Sequence, residues 1–288
     1  MSEIKVNDNA KEIAKLKKLA QEIRIDIVKE INSIGQGHIG GSLSIADVLA
    51  VLYGKHMKNI DPKRPNKEGR DRLVCSKGHA GPAVYAALAE KGYFSKSELT
   101  TLNKNGTILP SHCDMNKTPG IDMTAGSLGQ GLSAAIGMAI GSKLNNDGAT
   151  IYCIIGDGES QEGQIWEAGM YAGNSNLNNL IVFTDYNKFQ LDNAVEIIND
   201  LSNLEKKWKS FNFNVINVED GNDIEQIDAA IIKAKQSKNK PTMIILNTIK
   251  GKGVKFVEDA KKKNHSMPID KEHMEMAIND IKNEGGND

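Results

Sequence analysis

The strongest constraint on the fold is a set of five short apolar or β-branched runs that alternate with stretches of helical character. Runs of this length are typical of buried strands, and the stretches between them are long enough for crossover helices. The predicted strands are 73–76, 150–155, 179–184, 213–218 and 242–246, and the predicted helices are 81–90, 132–144, 163–172 and 223–235. This alternation predicts the α/β class, with a mostly parallel, doubly wound sheet and helices on both faces.

A long helix is expected ahead of the first strand. Residues 11–34 carry an apolar stripe at helical spacing, formed by Ile13, Leu16, Ala20, Ile23 and Ile27. This stripe is expected to pack against the sheet or a partner. A last helix is expected over 269–282. The chain has no internal repeat or low-complexity linker, and 288 residues fit one large core, so we predict a single domain over residues 1–288.

Polar residues stand where two predicted strands end. Asp157 lies between Gly156 and Gly158 after the second strand, and Asn187 follows 30 residues later, after the third. In such sheets ligands bind outside the carboxyl ends of the strands, and Mg²⁺ prefers oxygen ligands shared with phosphates. A Gly-Asp-Gly sequence alone is more often a simple turn. Its spacing to Asn187 favours a site for a metal-bound diphosphate.

A glycine-rich segment, Gly126 to Gly131, precedes the predicted helix 132–144. Its backbone N–H groups and the helix N-terminus are suited to an anion. The spacing G-x-x-G-x-G differs from the dinucleotide fingerprint, and the sequence contains no G-x-x-x-x-G-K-[ST] motif. The segment adds weak support for anion binding and indicates neither nucleotide-binding motif.

Four histidines lie beside glycine or other small residues, namely His38, His79, His112 and His265. Imidazole titrates near neutrality and exchanges protons with ligands, although a single histidine is more often structural. The spacing of these residues matches no zinc-binding pattern. His56 and His273 lack this setting and are interpreted as ordinary surface or helix residues.

Composition argues against several classes of protein. With 36 basic and 37 acidic residues the net charge is -1, so no overall field favours nucleic acid or a membrane surface, and the patch at 261–263 is interpreted as a solvated loop. Residues 1–18 are charged and helix-like without an apolar signal core, and no apolar run is long enough to span a bilayer. Three cysteines without a C-x-x-C spacing argue against a disulfide framework and a cysteine zinc site. A cytoplasmic location is expected.

Five motifs, in their order along the chain, resemble the amino-terminal domain of transketolases. They are Gly37-His38-Ile39-Gly40-Gly41-Ser42-Leu43, Lys77-Gly78-His79-Ala80, Gly126-Ser127-Leu128-Gly129-Gln130-Gly131, Gly156-Asp157-Gly158-Glu159-Ser160-Gln161-Glu162-Gly163 and Asp185-Tyr186-Asn187-Lys188. The segment from Pro241 to Val254, followed by His265, is similar as well. The resemblance covers about the whole chain. It implies the thiamine diphosphate-binding fold, with this domain holding the diphosphate end of the cofactor.

The resemblance also implies roles for individual residues. Asp157 and Asn187 resemble the side-chain ligands of the cofactor's Mg²⁺ or Ca²⁺, and the carbonyl of Phe189 resembles a main-chain ligand. The implied cofactor contacts are His79, Gly126, Ser127, Leu128, Asp157, Gly158, Glu162, Asn187, Ile249 and His265. The implied catalytic residues, which line the reaction channel and pass protons to and from sugar hydroxyls, are His38, His79, His112 and His265. Glu162 also resembles a residue that couples two cofactor sites across a subunit interface.

Two departures from the family pattern concern the histidines. Ser111-His112-Cys113 stands where the family usually has Gly-His-Pro, and His265-Ser266 stands where it usually has His-Gly. Both changes alter the backbone that directs these imidazoles.

A larger departure concerns what complete transketolases contain. They resemble this domain followed by a pyrimidine-binding domain, which supplies a catalytic Glu, and by a C-terminal domain; neither is found in this sequence. We therefore expect the N-terminal subunit of a split transketolase, which transfers a two-carbon ketol unit from a ketose phosphate to an aldose. It is expected to act only with a C-terminal partner subunit, in an α₂β₂ assembly.

Three other functions compete with this interpretation. A 1-deoxyxylulose-5-phosphate synthase-like protein and a 2-oxo acid dehydrogenase α-like subunit share the metal-bound diphosphate site. The set His79, His112 and His265 favours transketolase over the first, and the motifs around His38 and His79 favour it over the second. An inactive scaffold or regulatory partner is disfavoured by the presence of both metal ligands and all four site histidines. The sugar donor, the sugar acceptor and the partner chain stay open.

Overall fold

A parallel five-stranded sheet forms the centre of the structure. The computed structural model describes residues 2–284, with side chains described for residues 9–284. The strands are β1 (Gln36–Gly37), β2 (Arg72–Cys75), β3 (Ile151–Gly156), β4 (Leu180–Asp185), β5 (Asn214–Val218), β6 (Thr242–Leu246) and β7 (Met267–Pro268). The central sheet has the spatial order β2-β3-β4-β6-β5, and all its pairings are parallel. β1 and β7 form a separate antiparallel pair.

Helices cover both faces of this sheet. They are α1 (Ser2–Ile34), α2 (Gly40–Leu43), α3 (Ala46–Val51), α4 (Gly81–Glu90), α5 (Gln130–Asn145), α6 (Gly163–Asn174), α7 (Val195–Asn199), α8 (Leu204–Ser210), α9 (Ile224–Ala234), α10 (Lys255–Asp259) and α11 (Lys271–Glu284). Short 3₁₀ or π-helical segments occur at Leu52–His56, Gly78–Ala80, Lys96–Thr101, Glu159–Gln161 and Lys261–Asn264.

Alternating side chains of the buried strands feed two separate apolar clusters. Along β3, Tyr152 and Ile154 belong to the apolar cluster that also contains residues of α1, α3, α4, α9 and α11. Ile151, Cys153 and Ile155 point to the face covered by α5, α6 and α8. Both faces are apolar because a parallel sheet with crossover helices is buried on both sides. The crossovers from β3 to β4 and from β5 to β6 run on opposite faces, which is the doubly wound arrangement.

The predicted fold class is confirmed, and the five predicted strands start and end within one residue of the observed ones. Helix 81–90 is as predicted, whereas α5 begins two residues earlier than expected. The pairing of β1 with β7 and the short helices α2, α3, α7, α8 and α10 were not predicted. Each is too short to produce a periodic apolar pattern. Residues 1 and 285–288, which the predicted single domain includes, lie outside the described residues.

Two predictions about packing need correction. The apolar stripe of α1 is buried as expected, but α1 packs mainly on the helices α3, α4 and α11 rather than on the central sheet. His56, interpreted as a surface or helix residue, does lie in a helical segment, Leu52–His56, but it is buried: it is 6 % exposed, and its Nε2 lies 2.7 Å from Asp228 Oδ1. This hydrogen bond and the ion pair between Lys55 and Asp228 connect the segment after α3 to helix α9. Lys261, Lys262 and Lys263 are solvent-exposed as predicted, although they form a 3₁₀ turn.

No helix within residues 2–284 has the length and apolar character needed to cross a bilayer.

A buried acid on α1 is energetically unusual. Glu30 is 0 % exposed, and neither of its carboxyl oxygens has a hydrogen-bond partner among the described side chains and backbone. Burial, followed by the negative charge of Asp26, raises the pKa of Glu30 well above its ordinary value. The folded chain therefore retains a proton that the unfolded chain releases, and the stability of the fold decreases as pH rises above about 4.3.

Replacing Glu30 with Met should therefore stabilise the fold at neutral pH. We expect the free energy of unfolding at pH 7 to rise by about 1–3 kcal/mol, because a desolvated polar group without a partner is removed. The gain should shrink as pH falls toward 4. Urea denaturation at several pH values measures it, with Glu22→Met on the same helix as the control. If Glu30→Met destabilised the fold equally at pH 5 and pH 7, the raised pKa of Glu30 would be contradicted.

Candidate active site

The carboxyl ends of neighbouring strands β3 and β4 place Asp157 and Asn187 together in the interior. The two residues are 2 % and 5 % exposed. The N–H of Lys188 donates to Asp157 Oδ2 at 2.5 Å, and the N–H of Phe189 donates to Asn187 Oδ1 at 3.2 Å. Consecutive amides of one loop thus hold one oxygen of each side chain. The spacing of 30 residues brings the pair to one edge of the sheet, as the sequence predicts.

Asp157 is suited to receive a cation. Burial, followed by the negative charge of Asp185, raises its pKa to about 7. Two backbone N–H groups, from Gly158 and Lys188, only partly offset these effects. A cation close to the carboxylate would stabilise its ionised form.

Asp185, the last residue of β4, is a second buried acid at this edge. It is 0 % exposed and accepts hydrogen bonds from four side chains, namely Ser44, Lys77, Asn187 and Thr248. Burial acts to raise its pKa, but the charge of Lys77 and these hydrogen bonds outweigh burial and lower it. Asp185 is not among the predicted site residues, because an acid at a strand end carries no sequence signal of the donors that will reach it.

The predicted main-chain metal ligand is the carbonyl of Phe189, which accepts a hydrogen bond from Lys250 Nζ at 2.9 Å. A carbonyl oxygen has two lone pairs, so one stays available. Among residues 2–284, no group of three or more His, Cys, Asp or Glu side chains is placed to hold a metal ion. A metal here therefore needs amide, carbonyl and phosphate oxygens beside Asp157. That ligand set fits Mg²⁺, which binds few carboxylates and completes its shell with phosphate or water.

Four histidine rings converge beside the same edge. The ring centroid of His38 lies 5.5 Å from that of His79, 5.6 Å from that of His112 and 5.3 Å from that of His265. The rings of His79 and His265 are 4.9 Å apart. Lys250 Nζ lies 3.5 Å from His265 Nδ1 and so connects this cluster to the oxygen-lined edge. All four predicted histidines are brought together.

Contacts distant in sequence create this convergence. The pairing of β1 with β7 places His38 close to His265. Gly40 permits the approach, since a Cβ there would lie 2.5 Å from Asn264 Oδ1 and 2.6 Å from the Asn264 carbonyl oxygen. Asn264 is itself fixed by donating to the Lys250 carbonyl at 3.0 Å. Glycine is required where two backbones meet this closely.

The histidines are held in their neutral form. Burial lowers the pKa of all four, namely His38, His79, His112 and His265. For His265, burial followed by the charge of Lys250 lowers the pKa to about 3. A neutral imidazole has one donor and one acceptor nitrogen, so the cluster can both take and give protons at pH 7.

The glycine-rich segment forms a turn ahead of α5. Gly126 and Ser127 are exposed, and Leu128 is half-buried. Gly129 has φ 85°, and its N–H donates to Glu159 Oε1 at 2.9 Å. Glu159, which was not predicted, is buried and ties this turn to the segment that follows β3. The exposed part of the turn, Gly126 and Ser127, is accessible to an anion.

The other predicted cofactor contacts lie along an exposed rim. Glu162 is solvent-exposed, and Ile249 is 47 % exposed. Leu191 and Ile197, in the segment that follows Phe189, are 61 % and 65 % exposed. These exposed apolar side chains, on segments that adjoin the site residues, form a candidate contact surface. We define the rim as Glu162, Leu191, Ile197 and Ile249.

Two buried lysines belong to the site but are absent from the predicted set. Lys77, 1 % exposed, contacts Asp185 and the Gly41 carbonyl. Lys250 is 5 % exposed, and burial, followed by the charge of Lys77, lowers its pKa to about 8. Lysine is almost never fully buried without a partner. The signal available in the sequence was their position inside Lys77-Gly78-His79 and the segment 241–254.

Comparison with known proteins agrees with this geometry. Residues 15–285 match the family model described as transketolase, thiamine diphosphate binding domain. The chain is 54% identical over 266 residues to the 6-deoxy-6-sulfo-D-fructose transketolase subunit of Clostridium sp. (strain MSTE9), covering 92% of this chain and 96% of that protein. It is 38% identical to an apulose-4-phosphate transketolase subunit of Actinobacillus succinogenes, covering 93% and 96% of the two chains.

Solved structures give the same result for the fold. The transketolase of Leishmania mexicana superimposes with a TM-score of 0.86 at 31% identity, over 95% of this chain. The match covers 41% of that transketolase, so this chain spans about two-fifths of its length. The chain therefore belongs to the transketolase family and corresponds to its amino-terminal, thiamine diphosphate-binding domain.

Proposed function

We propose that this chain is the N-terminal subunit of a split transketolase, which transfers a two-carbon ketol unit from a ketose to an aldose phosphate. The observation that carries the proposal is the convergence of four neutral histidines on an oxygen-lined edge. Two buried lysines, Lys77 and Lys250, add positive charge where a diphosphate would lie. Acid–base groups and an anion site thus meet in one place.

The cofactor is held, in this proposal, by its diphosphate end. Asp157, Asn187 and the carbonyl of Phe189 ligate Mg²⁺ or, alternatively, Ca²⁺. The remaining cofactor contacts are His79, Gly126, Ser127, Leu128, Gly158, Glu162, Ile249 and His265. The exposed turn before α5 and the backbone after Asp157 supply N–H groups for phosphate oxygens.

Proton transfer is the task of the histidine cluster. Thiamine diphosphate, when bound, supplies the nucleophilic carbon that carries the two-carbon unit. His38, His79, His112 and His265 take the proton from the C3 hydroxyl of the donor and return one to the carbonyl oxygen of the acceptor. Neutral imidazoles suit both directions. Ser111 and the buried Cys113 set the backbone on either side of His112.

The partner supplies what this single diphosphate-binding domain lacks. A C-terminal transketolase subunit covers the rim and binds the pyrimidine ring, in an α₂β₂ assembly. The named relatives of similar length are themselves transketolase subunits. A reducing cytoplasm is the proposed location, since Cys75, Cys113 and Cys153 are all free thiols.

The donor is proposed to be a ketose with an anionic terminus. One relative, 54% identical, is named for 6-deoxy-6-sulfo-D-fructose, so sulfonate stands beside phosphate as a candidate. D-fructose 6-phosphate and 6-deoxy-6-sulfo-D-fructose form a matched pair of donors for the purified complex, with glyceraldehyde 3-phosphate as acceptor.

Ketol transfer from at least one of these donors is the expected result. The reaction is followed by chromatography of the new ketose phosphate, and the ratio of kcat/KM values identifies the preferred anion. The complex carrying Asp157→Ala provides the background. Consumption of pyruvate without ketol transfer would instead support a 1-deoxyxylulose-5-phosphate synthase-like or 2-oxo acid dehydrogenase-like enzyme. Activity with none of these compounds would support the alternative in which this chain is an inactive scaffold or regulatory partner.

A further inference from the structure

The carboxylate of Asp185 joins parts of the site that are far apart in sequence. Its Oδ2 accepts from Ser44 Oγ at 2.8 Å, from Lys77 Nζ and from Asn187 Nδ2 at 2.7 Å. Its Oδ1 accepts from Thr248 Oγ1. Ser44 follows α2, Lys77 follows β2, and Thr248 follows β6. One buried acid therefore binds side chains from four segments of the chain at the edge of the sheet.

This arrangement decides which end of the Asn187 amide faces which neighbour. A carboxylate oxygen only accepts hydrogen bonds, so the group that Asn187 turns to Asp185 has to be its NH₂. The amide oxygen is then directed away from Asp185, where it accepts the N–H of Phe189 at 3.2 Å. The preceding N–H, from Lys188, is bonded to Asp157 Oδ2. The oxygen of Asn187 is thereby held beside that of Asp157.

Lys77 couples the same carboxylate to the histidines. Its Nζ reaches both Asp185 Oδ2 and the Gly41 carbonyl at 2.8 Å. A Cβ on Gly41 would lie 3.3 Å from Lys77 Nζ and 3.4 Å from His79 Nε2, so these two nitrogens share one small space. His79 is two residues beyond Lys77. A shift of Asp185 would therefore move both the Asn187 amide and the Lys77 ammonium that lies beside His79.

We propose, on the basis of the function proposed above, that Asp185 is a positioning residue that sets the polarity of the Asn187 amide. By accepting from the NH₂ group it presents the amide oxygen, next to Asp157, to the metal ion. The same charge holds Lys77 beside His79. Asn is thus the residue required at 187: an Asp there, although a stronger metal ligand, would place a second carboxylate against Asp185.

Exchanging the two side chains tests this polarity directly. We compare Asn187→Asp, Asp185→Asn and the double variant Asp185→Asn/Asn187→Asp, each in complex with the partner subunit. In the double variant an amide NH₂ at 185 can donate to a carboxylate at 187, and the net charge beside Lys77 is unchanged. Asp192→Asn, which removes one exposed acid from the same loop, is the control.

Thiamine diphosphate affinity at saturating Mg²⁺ is measured by calorimetry. Each single variant is expected to bind about 10–100-fold more weakly than the parent, the usual effect of losing support for a metal ligand. The double variant is expected to bind at least about tenfold more tightly than Asn187→Asp, since residues in direct contact do not act additively. Affinity of the double variant equal to the product of the single losses would overturn the proposal.

Thermal unfolding of the ligand-free chain gives an independent measurement. Asn187→Asp should unfold at a lower temperature than Asn187→Ala, because alanine removes the hydrogen bond without adding a repelling charge. The double variant should regain the unfolding temperature that the Asn187→Asp substitution lowers. An Asn187→Asp chain at least as stable as Asn187→Ala would contradict the repulsion. If the parent complex does not bind thiamine diphosphate, the proposed function fails; if it binds and the exchange gives no recovery, only the role of Asp185 fails.

Discussion

Replacing Asp157 is expected to abolish Mg²⁺-dependent binding of thiamine diphosphate while making the ligand-free chain more stable. Asp157→Ala removes the one carboxylate proposed to touch the metal, and the affinity for the cofactor in Mg²⁺ should fall by at least about 100-fold. Asp157→Asn, which keeps the size of the side chain, should give a similar loss. Asp157 is thus expected to increase the affinity for the cofactor while it lowers the stability of the ligand-free chain.

The gain in stability follows from the electrostatics of the site. Burial, followed by the charge of Asp185, raises the pKa of Asp157 to about 7 from 3.8, a shift equivalent to about 4 kcal/mol. Asp157→Asn removes this cost but leaves a backbone N–H facing an amide NH₂, which costs about 1–3 kcal/mol. The net gain is therefore about 1–3 kcal/mol. Because the folded-state pKa is raised, the destabilisation by Asp157 builds up as pH rises from about 4 to 7.

Calorimetry with Mg²⁺ and thiamine diphosphate measures the loss of binding, and thermal unfolding without ligands measures the gain. The increase in Tm of Asp157→Asn should be larger at pH 8 than at pH 5. Asp192→Asn, an exposed acid in the loop after β4, serves as the control for net charge. Unchanged cofactor affinity would overturn the metal assignment, and a lower Tm at pH 8 would contradict the electrostatic argument.

The fold could be predicted from sequence because its strands are buried on both faces. A strand such as Thr242–Leu246 is buried along its whole length, and four of its five residues are apolar. The β1–β7 pair has only two residues in each strand, which is too short for a periodic sequence pattern that would predict it. The burial of His56 also depends on a distant partner, Asp228 on α9, which local pattern does not reveal.

The site residues likewise divide into those that the sequence predicts and those that it does not. Asp157 and Asn187 were found because a fixed spacing between neighbouring parallel strands brings them together. Lys77 and Asp185 were missed, although both lie inside recognised motifs, because their contact joins residues 108 apart along the chain. Motifs identify the groups that meet a ligand, whereas the side chains that orient those groups are chosen by tertiary packing.

The second large effect concerns the isolated chain, which we expect to be nearly inactive. In the proposed function the partner subunit holds the pyrimidine end of the cofactor, and the rim that it would cover is exposed in this chain. In transketolases a Glu of the pyrimidine-binding domain activates the cofactor, and in this proposal the partner subunit supplies that Glu. Loss of a positioned acid–base group lowers rates by about 10²–10⁴-fold.

Ketol transfer by this chain alone should therefore be at least about 1,000-fold slower than by an equimolar mixture with its partner subunit. Light scattering on the mixture tests assembly alongside activity. Ile197→Asp, on the rim, should weaken assembly and activity together, because it puts a charge into an apolar interface. Ile232→Asp is the matched control, since Ile232 is 45 % exposed on α9, away from the rim. An isolated chain as active as the mixture would defeat the split-enzyme proposal, and equal effects of the two substitutions would remove the rim from the interface.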